Sequence, residues 1–410
     1  MDRIRTAICY CLMRAAVCVL AGAAVIESAA EIELSGFIES ETSYFPHSSG
    51  LDGQDDGRFS FSFALQPEIV FEFEESGWRL AATPFFRWDE ADPQRTHFDI
   101  RELYVQKRFE NLELNVGIRK VFWGVAESFH LVDFINQIDL VENIDIEDRL
   151  GQPMVQLAYI TELGTFEMFG LPYFRERTFP GRSGRLRTDP YIDVDDAEYE
   201  SSAEEWHFDV AARYSISKGP IDLGLYHFYG TNREPTLVPG RIGSSGELLS
   251  LAPRYEIIHQ TGLDFQYTKE NWLWKLEALA RSGQGDTIWA GVGGLEYTFY
   301  DIAQSGIDVG LLAEYLYDSR GDSGASVFQD DIFGGIRLAF NDTQDSQVLV
   351  GAIVDRDLGS TFFNLEASRR ITDHWKAAAE IRAFWNIDER DPLSNLEDDS
   401  YFRLVLSRYF

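Results

Sequence analysis

Cysteine is nearly absent from this sequence of 410 residues. The three cysteines, Cys9, Cys11 and Cys18, all lie near the start of the chain. From residue 19 onward the chain therefore has no disulfide, no thiolate nucleophile and no cysteine-based metal site. Long apolar runs are also scarce: the only one lies near the N-terminus, and the mean hydropathy is −0.21. These figures exclude a multi-span helical membrane protein.

Basic residues are scarce as well. Lys and Arg number 36 against 68 Asp and Glu, which gives a formal net charge of −32. A protein that binds the phosphate backbone of a nucleic acid needs a basic surface, so no nucleic-acid partner is expected. The sequence is instead rich in apolar material, with 45% hydrophobic and 14% aromatic residues. This content excludes an intrinsically disordered chain.

The first thirty residues have the layout of a secretory signal peptide. Three arginines precede or open an apolar stretch over 15–26, and small residues follow it. Because the stretch is short for a membrane span, we expect a signal peptide at 1–30, cut after Ala30. A retained anchor helix is the alternative. Cleavage would leave 31–410 as a single cysteine-free domain.

From Glu31 onward the apolar residues recur with a period of two, which is typical of β-strands. In the segment 58–74 one face is large and apolar, whereas the other carries Ser, Gln and Glu. Soluble strands average about 5–6 residues. The alternating segments here are longer and reach the roughly 9–11 residues that a tilted strand needs to cross a bilayer. They favour a transmembrane β-barrel, whose two faces average to an unremarkable hydropathy, over a large soluble sandwich.

Four tryptophans mark the ends of two alternating segments. Trp78 and Trp88 lie ten residues apart on one face, and so do Trp375 and Trp385. At about 3.3 Å per residue this interval is roughly 33 Å along a strand. A tilt of about 40° reduces it to roughly 25 Å, the height between the aromatic girdles of a transmembrane barrel. The four tryptophans are therefore predicted to lie in these girdles, with coincidental placement in a sandwich as the alternative.

The chain divides into 18 candidate strands, with 16 as the alternative count. Every second connection is a short turn and the others are longer, which predicts short periplasmic turns and long loops outside. An even number of strands lets a barrel close with all neighbours antiparallel. The sequence thus predicts an all-β fold, a transmembrane antiparallel β-barrel. The candidate strands start near residues 31, 58, 78, 96, 112, 154, 164, 206, 221, 254, 271, 286, 307, 330, 347, 361, 374 and 399.

The last ten residues alternate in the same way and end on an aromatic ring. This strand resembles the C-terminal signature of bacterial outer-membrane barrels. The residues that match the signature are Phe402, Leu404, Leu406 and Phe410. Arg408 departs from the signature, because an aromatic or apolar residue is usual there. The resemblance implies that the barrel-assembly machinery recognises this strand. It also implies an outer-membrane location, in contact with lipid and lipopolysaccharide.

The long connection 122–153 contains seven acidic residues and one Arg. A loop of this length without a function is uncommon. The run from Gly117 through Trp123-Gly124 into an Asp- and Asn-rich stretch resembles a broad group of proteobacterial porin-like outer-membrane proteins. The connection also occupies the position of the loop that, in the general porin family, folds into the barrel and narrows it.

We therefore expect 122–153 to fold inward as a constriction, with a plug or an external cap over the barrel mouth as alternatives. Rings of charged side chains select solutes by charge and size. The predicted constriction combines loop carboxylates with wall arginines that face them. These residues are Glu127, Asp133, Asp139 and Glu142 from the loop, and Arg79, Arg87, Arg119 and Arg213 from the wall.

A barrel of about 16 to 18 strands leaves an aqueous lumen. The sequence therefore predicts a porin-like channel for passive diffusion of small hydrophilic solutes, with a homotrimer as a candidate assembly. The sequence contains no P-loop, GxGxxG or His-Glu-x-x-His motif, so we expect no enzymatic activity, cofactor or metal. Two alternatives stay open: an outer-membrane barrel enzyme of the lipid hydrolase kind, and a structural or adhesive barrel with an occluded pore.

Overall fold

The computed structural model of the chain describes residues 31–321 and 326–410. The predicted signal peptide, 1–30, lies outside the described residues. Eighteen long strands form one sheet. In chain order they are β1 (Glu31–Tyr44), β2 (Phe59–Phe73), β3 (Trp78–Asp89), β4 (His97–Arg108), β5 (Leu112–Arg119), β6 (Gln152–Thr161), β7 (Gly164–Leu171), β8 (Asp209–Lys218), β9 (Ile221–Thr231), β10 (Ile257–Lys269), β11 (Trp272–Ser282), β12 (Ile288–Phe299), β13 (Asp308–Asp318), β14 (Asp330–Ala339), β15 (Gln347–Asp355), β16 (Thr361–Thr372), β17 (Trp375–Trp385) and β18 (Tyr401–Tyr409).

The sheet closes on itself to form a barrel. Each strand pairs antiparallel with its neighbours in the sequence. The first strand also pairs antiparallel with the last, from Phe37 opposite Tyr409 to Tyr44 opposite Phe402. The predicted all-β fold class and the count of 18 strands are confirmed. Each predicted strand start lies within three residues of an observed one.

The barrel has its apolar side chains on the outside and many of its charged side chains inside, the opposite of a soluble protein. Successive side chains of a strand point to opposite faces, so every strand has an outward and a lumenal face. Leu34, Phe61 and Trp289 point outward and are 61%, 48% and 60% exposed. The charged side chains of Arg213 and Glu277 are buried. An apolar exterior around a charged interior fits a barrel surrounded by lipid and contradicts a soluble sandwich.

The predicted girdle tryptophans lie at the ends of their strands. Trp78 begins β3 and Trp88 is its penultimate residue, whereas Trp375 and Trp385 are the first and last residues of β17. All four side chains are exposed on the outer surface. These positions are compatible with two aromatic girdles, and contact with the lipid interface stays a prediction.

The C-terminal strand completes the barrel. Phe402, Leu404 and Leu406 alternate outward along β18 and are exposed. Phe410 follows the strand, and its backbone N–H donates to the carbonyl of Gly36 at 3.1 Å. The outward row is thus part of the seam between first and last strands, and its recognition by the assembly machinery stays a prediction.

Turns and loops lie at opposite ends of the barrel. The connections from β2 to β3, from β4 to β5 and between each later pair in this alternation have at most eight residues, while the longest connections, 120–151, 172–208 and 232–256, share the other end. The predicted alternation of length is incomplete, because 283–287 and 356–360 at the loop end have only five residues each. Three short strands, Glu198–Tyr199, Thr236–Pro239 and Leu251–Tyr255, form a second small sheet within these loops. That the loop end faces the cell exterior stays a prediction. Within the described ranges, no helix is long and apolar enough to cross a membrane.

Candidate functional site

The connection between β5 and β6, residues 120–151, lies inside the barrel and is called the inward loop below. Its Trp123 ring packs against two wall rings, with centroids 5.7 Å from Phe169 and 5.0 Å from Tyr226. All three rings are buried. The inward loop thereby covers the lumenal face of β7 to β10 and occupies that side of the lumen.

One wall carboxylate holds the backbone of the inward loop from β11. Glu277 accepts the N–H groups of Val125 at 2.6 Å, Ala126 at 2.8 Å and Val132 at 3.0 Å. Buried backbone donors need acceptors, and the Glu277 side chain is 0% exposed. The sequence indicates only that Glu277 faces the lumen, because nothing in its own strand distinguishes it from other inward acids.

A second wall carboxylate holds the loop from β13. Glu314 accepts the backbone N–H of Glu127 and of Ser128, each at 2.8 Å, and the Ser128 hydroxyl at 2.6 Å. Hydrogen bonds to an ionised acceptor are among the stronger ones in proteins. The two wall residues Glu277 and Glu314 therefore fix the loop segment that faces the remaining lumen.

The predicted constriction residue Asp133 points into the inward loop. Its carboxylate accepts the backbone N–H groups of Trp123 and Gly124, the latter at 2.9 Å. Burial raises the pKa of this carboxyl above its ordinary value, although the N–H groups of Trp123 and Gly124 and the charge of Arg149 oppose the shift. Asp133 thus shapes the loop and is almost inaccessible from the lumen.

Glu127 lies at the surface of the inward loop, between two cations of the wall. Its carboxylate is 2.6 Å from Arg337 of β14 and 3.4 Å from Lys275 of β11. Neither cation belongs to the predicted arginine set. The sequence marks both as lumenal by their period-two position, but their meeting with Glu127 depends on strands far apart in the chain.

Asp139 and Glu142 anchor the other end of the inward loop. Asp139 is 0% exposed and lies 2.6 Å from both Arg101 of β4 and the Thr178 hydroxyl. Glu142 lies 2.8 Å from Arg87 of β3. The structure therefore brings one of the four predicted wall arginines, Arg87, into direct contact with a predicted loop carboxylate.

The other predicted arginines contact different groups. Arg213 binds Asp264 through two nitrogens, at 2.6 and 3.0 Å, and lies over the Trp123 ring at 4.7 Å. Arg119 donates to Gln156 and lies over Tyr104. Arg79 is the second residue of β3, at the short-turn end of the barrel. Arg213 therefore supports the inward loop by stacking, whereas Arg119 contacts the wall.

One cluster of candidate metal ligands occurs among the residues that the structure describes. Atoms of His97, Asp139 and Glu142 lie within 4.8 Å of one another. However, Arg101 and Arg87 already pair with these carboxylates. Two guanidinium groups beside the carboxylates would repel a divalent cation. We therefore interpret the cluster as an ion-pair network that fastens the inward loop to β3 and β4.

A cavity of about 720 Å³ extends between the inward loop and β14 to β17. It is lined near the short-turn end by Lys376 and near the loop end by Leu393. Asp145 of the inward loop also lines it and lies 3.0 Å from Arg382. Burial raises the pKa of Asp145 to about 7, and the charge of Arg382 only partly offsets this effect. The inward loop thus leaves a cavity along one side of the lumen.

No family model and no curated protein matches this chain. Solved structures similar to it include two engineered variants of the Rhodopseudomonas blastica porin. Each is 15% identical, covers 93% of this chain and 100% of its own, and superposes with a TM-score of 0.45.

The closed sheet of 18 strands and its apolar exterior give the chain the fold of a porin-like β-barrel. This is the class that the C-terminal strand and the run from Gly117 to Asp139 resemble in sequence.

Proposed function

We propose that the chain is a channel of the bacterial outer membrane through which small hydrophilic solutes diffuse passively, and that it is not an enzyme. The observation that carries this proposal is the cavity of about 720 Å³ inside a closed barrel, bounded on one side by the inward loop. Sites of this volume admit small organic molecules. The inward loop, held by Glu277 and Glu314, sets the width of the passage.

The charge of this constriction is largely compensated. Glu127 pairs with Arg337 and Lys275, Asp139 with Arg101, and Glu142 with Arg87. An acidic loop therefore does not make a strongly acidic passage. Rings of one sign of charge select ions of the opposite sign, and here each carboxylate is paired with a cation. We therefore expect weak discrimination between small cations and anions.

We further propose where the protein is located and what it contacts there. The signal peptide 1–30 would direct export, the exterior would contact lipid and lipopolysaccharide, and β18 with Phe410 would be recognised by the barrel-assembly machinery. A homotrimer is the proposed assembly. The exposed apolar surface supports lipid contact, since large apolar patches on a soluble monomer are rare.

Planar-bilayer recording of the purified, folded barrel tests the channel function. We expect stepwise conductance in KCl with little ion preference. Glu127→Gln leaves Arg337 and Lys275 without their shared carboxylate and should shift the preference toward anions. Glu113→Gln, on the wall of β5, is the matched control. Folded protein that inserts without conducting would overturn the proposal in favour of a structural barrel.

A further inference from the structure

Four inward-facing side chains form an apolar row across β14 to β17. The strand registers place Phe333 opposite Ile353, Ile353 opposite Phe362, and Phe362 opposite Phe384. The rings of Phe362 and Phe384 stack with centroids 5.4 Å apart. All four side chains line the cavity. The apolar row therefore gives the passage a continuous surface that can contact an apolar solute group.

Two glycines extend this surface toward the short-turn end. Gly335 and Gly351 lie opposite each other, one inward position beyond the apolar row. A Cβ atom at Gly351 would lie 2.5 Å from the Phe333 ring, and one at Gly335 would lie 2.7 Å from it. The Phe333 ring thus lies over both glycines, which have no side chain to displace it.

At the next inward position toward the short-turn end, Arg337 and Glu366 carry opposite charges at the same height in the barrel. These two residues form the charged level. Arg337 lies opposite Leu349, and Leu349 lies opposite Glu366. The side chains of Arg337 and Glu366 are 36% and 47% exposed, so both keep open hydrogen-bonding capacity beside their ion partners. At about 4.8 Å between neighbouring strands, two strands separate their backbones by roughly 10 Å. Their long side chains can therefore reach the two charged groups of one small solute that lies between them.

The inward loop supplies the facing wall of the cavity. Phe129 packs edge-on against Phe328, with ring centroids 5.8 Å apart, and both line the cavity together with Leu140 and Ile144. An apolar group that enters the passage thus meets apolar surface on both sides, with the charged level next to it.

We propose that this passage selects small zwitterions that carry an aromatic or bulky aliphatic group, of the amino-acid or dipeptide kind. The apolar group contacts the apolar row, the carboxylate binds Arg337 and the ammonium group binds Glu366. The inference rests on the proposed channel function and adds its substrate class. An aromatic acid or an aromatic amine satisfies only one of the two charged residues, and a small polar zwitterion leaves the apolar row uncovered.

Channel block in planar bilayers separates these solute classes. L-Phenylalanine, 3-phenylpropionate, phenethylamine and glycine are added in turn to wild-type channels conducting KCl. Phenylalanine should block at a concentration about twofold to tenfold lower than the other three, because it alone makes both the aromatic and the paired charged contacts.

Matched variants test whether the phenylalanine block depends on the apolar row and on the charged level. Phe362→Ala should weaken the phenylalanine block about twofold to tenfold, whereas Phe363→Ala, on the outward face of the same strand, should not. Arg337→Gln and Lys275→Gln each remove one partner of Glu127. Arg337→Gln should weaken the phenylalanine block more than Lys275→Gln does, because Arg337 lies two strands from Glu366 whereas Lys275 lies on the more distant β11.

The possible results also separate this inference from the channel function. Equal block by all four solutes in a normally conducting channel overturns the substrate class alone. Stronger block by 3-phenylpropionate or by phenethylamine than by phenylalanine overturns it too, in favour of an acid or an amine. Absence of KCl conductance from folded protein overturns the channel function itself.

Discussion

Replacing Glu277 by alanine is expected to release the inward loop from the barrel wall. The buried Glu277 carboxylate accepts three backbone N–H groups, from Val125, Ala126 and Val132, at 2.6 to 3.0 Å. Alanine leaves these donors without an acceptor and opens a space between loop and wall. Glu314, the other wall carboxylate that binds this part of the loop, accepts the N–H groups of Glu127 and Ser128 instead.

The size of the effect follows from these contacts. A buried donor left unpaired costs about 1–3 kcal/mol. Water can enter the space left by the side chain and accept some of these hydrogen bonds. We therefore expect the loss of the Glu277 carboxylate to destabilise the packed inward loop by about 3–5 kcal/mol in total. This cost falls on the packed conformation of the inward loop. The barrel strands keep their own hydrogen bonds and should stay paired.

Single-channel recording measures the consequence. Glu277→Ala should give a larger mean conductance and frequent switching between levels, since the inward loop is then held mainly by Glu314 and the Arg87 and Arg101 contacts. Glu113→Ala is the control, because the Glu113 carboxylate contacts only side chains of β4 and β5. A folded Glu277→Ala channel with wild-type conductance and noise would refute the anchoring role.

Three further predictions concern pH, packing and assembly. Burial raises the pKa of Asp145 from 3.8 to about 7, so the packed inward loop loses stability as the pH rises through this range. Switching of the channel between conductance levels should therefore become more frequent from pH 4 to pH 7, and the increase should be smaller in Asp145→Asn. Gly351→Ala should push the Phe333 ring into the cavity, since the new Cβ would lie 2.5 Å from it, and should lower the conductance without unfolding the barrel; an unchanged conductance contradicts this packing. Deleting Phe410 should slow insertion of the barrel in cells, and assembly at the normal rate, measured by outer-membrane fractionation, speaks against its role as a signal.

The period-two pattern predicts much of the fold because a closed barrel is built from neighbours in sequence. Alternation alone assigns Phe61 to the exterior and Glu277 to the lumen, and the alternation of short and long connections gives the strand count. Boundaries shift by up to three residues, as at β8, where Asp209 begins the strand that the sequence places near 206.

The period-two pattern does not predict which side chains meet across the lumen. Glu127 meets Arg337 and Lys275 because the inward loop crosses the barrel, and the sequence carries no signal for the angle of that crossing. For Arg87, the alternation predicts only that it is one of several arginines facing the lumen. Glu277 and Glu314 bind backbone N–H groups, which have no sequence signature, so their anchoring role emerges only from the folded structure.

We propose that solutes cross the barrel along the cavity between the inward loop and β14 to β17. Residues 31–410 contain no cysteine, so a single cysteine can be introduced and modified during recording. Ser368→Cys places a thiol on the cavity wall, and Leu365→Cys places one on the outward face of the same strand. A charged, water-soluble methanethiosulfonate reagent should reduce the conductance of Ser368→Cys and leave Leu365→Cys unchanged. Confirmed modification of Ser368→Cys without any change in conductance would contradict the account.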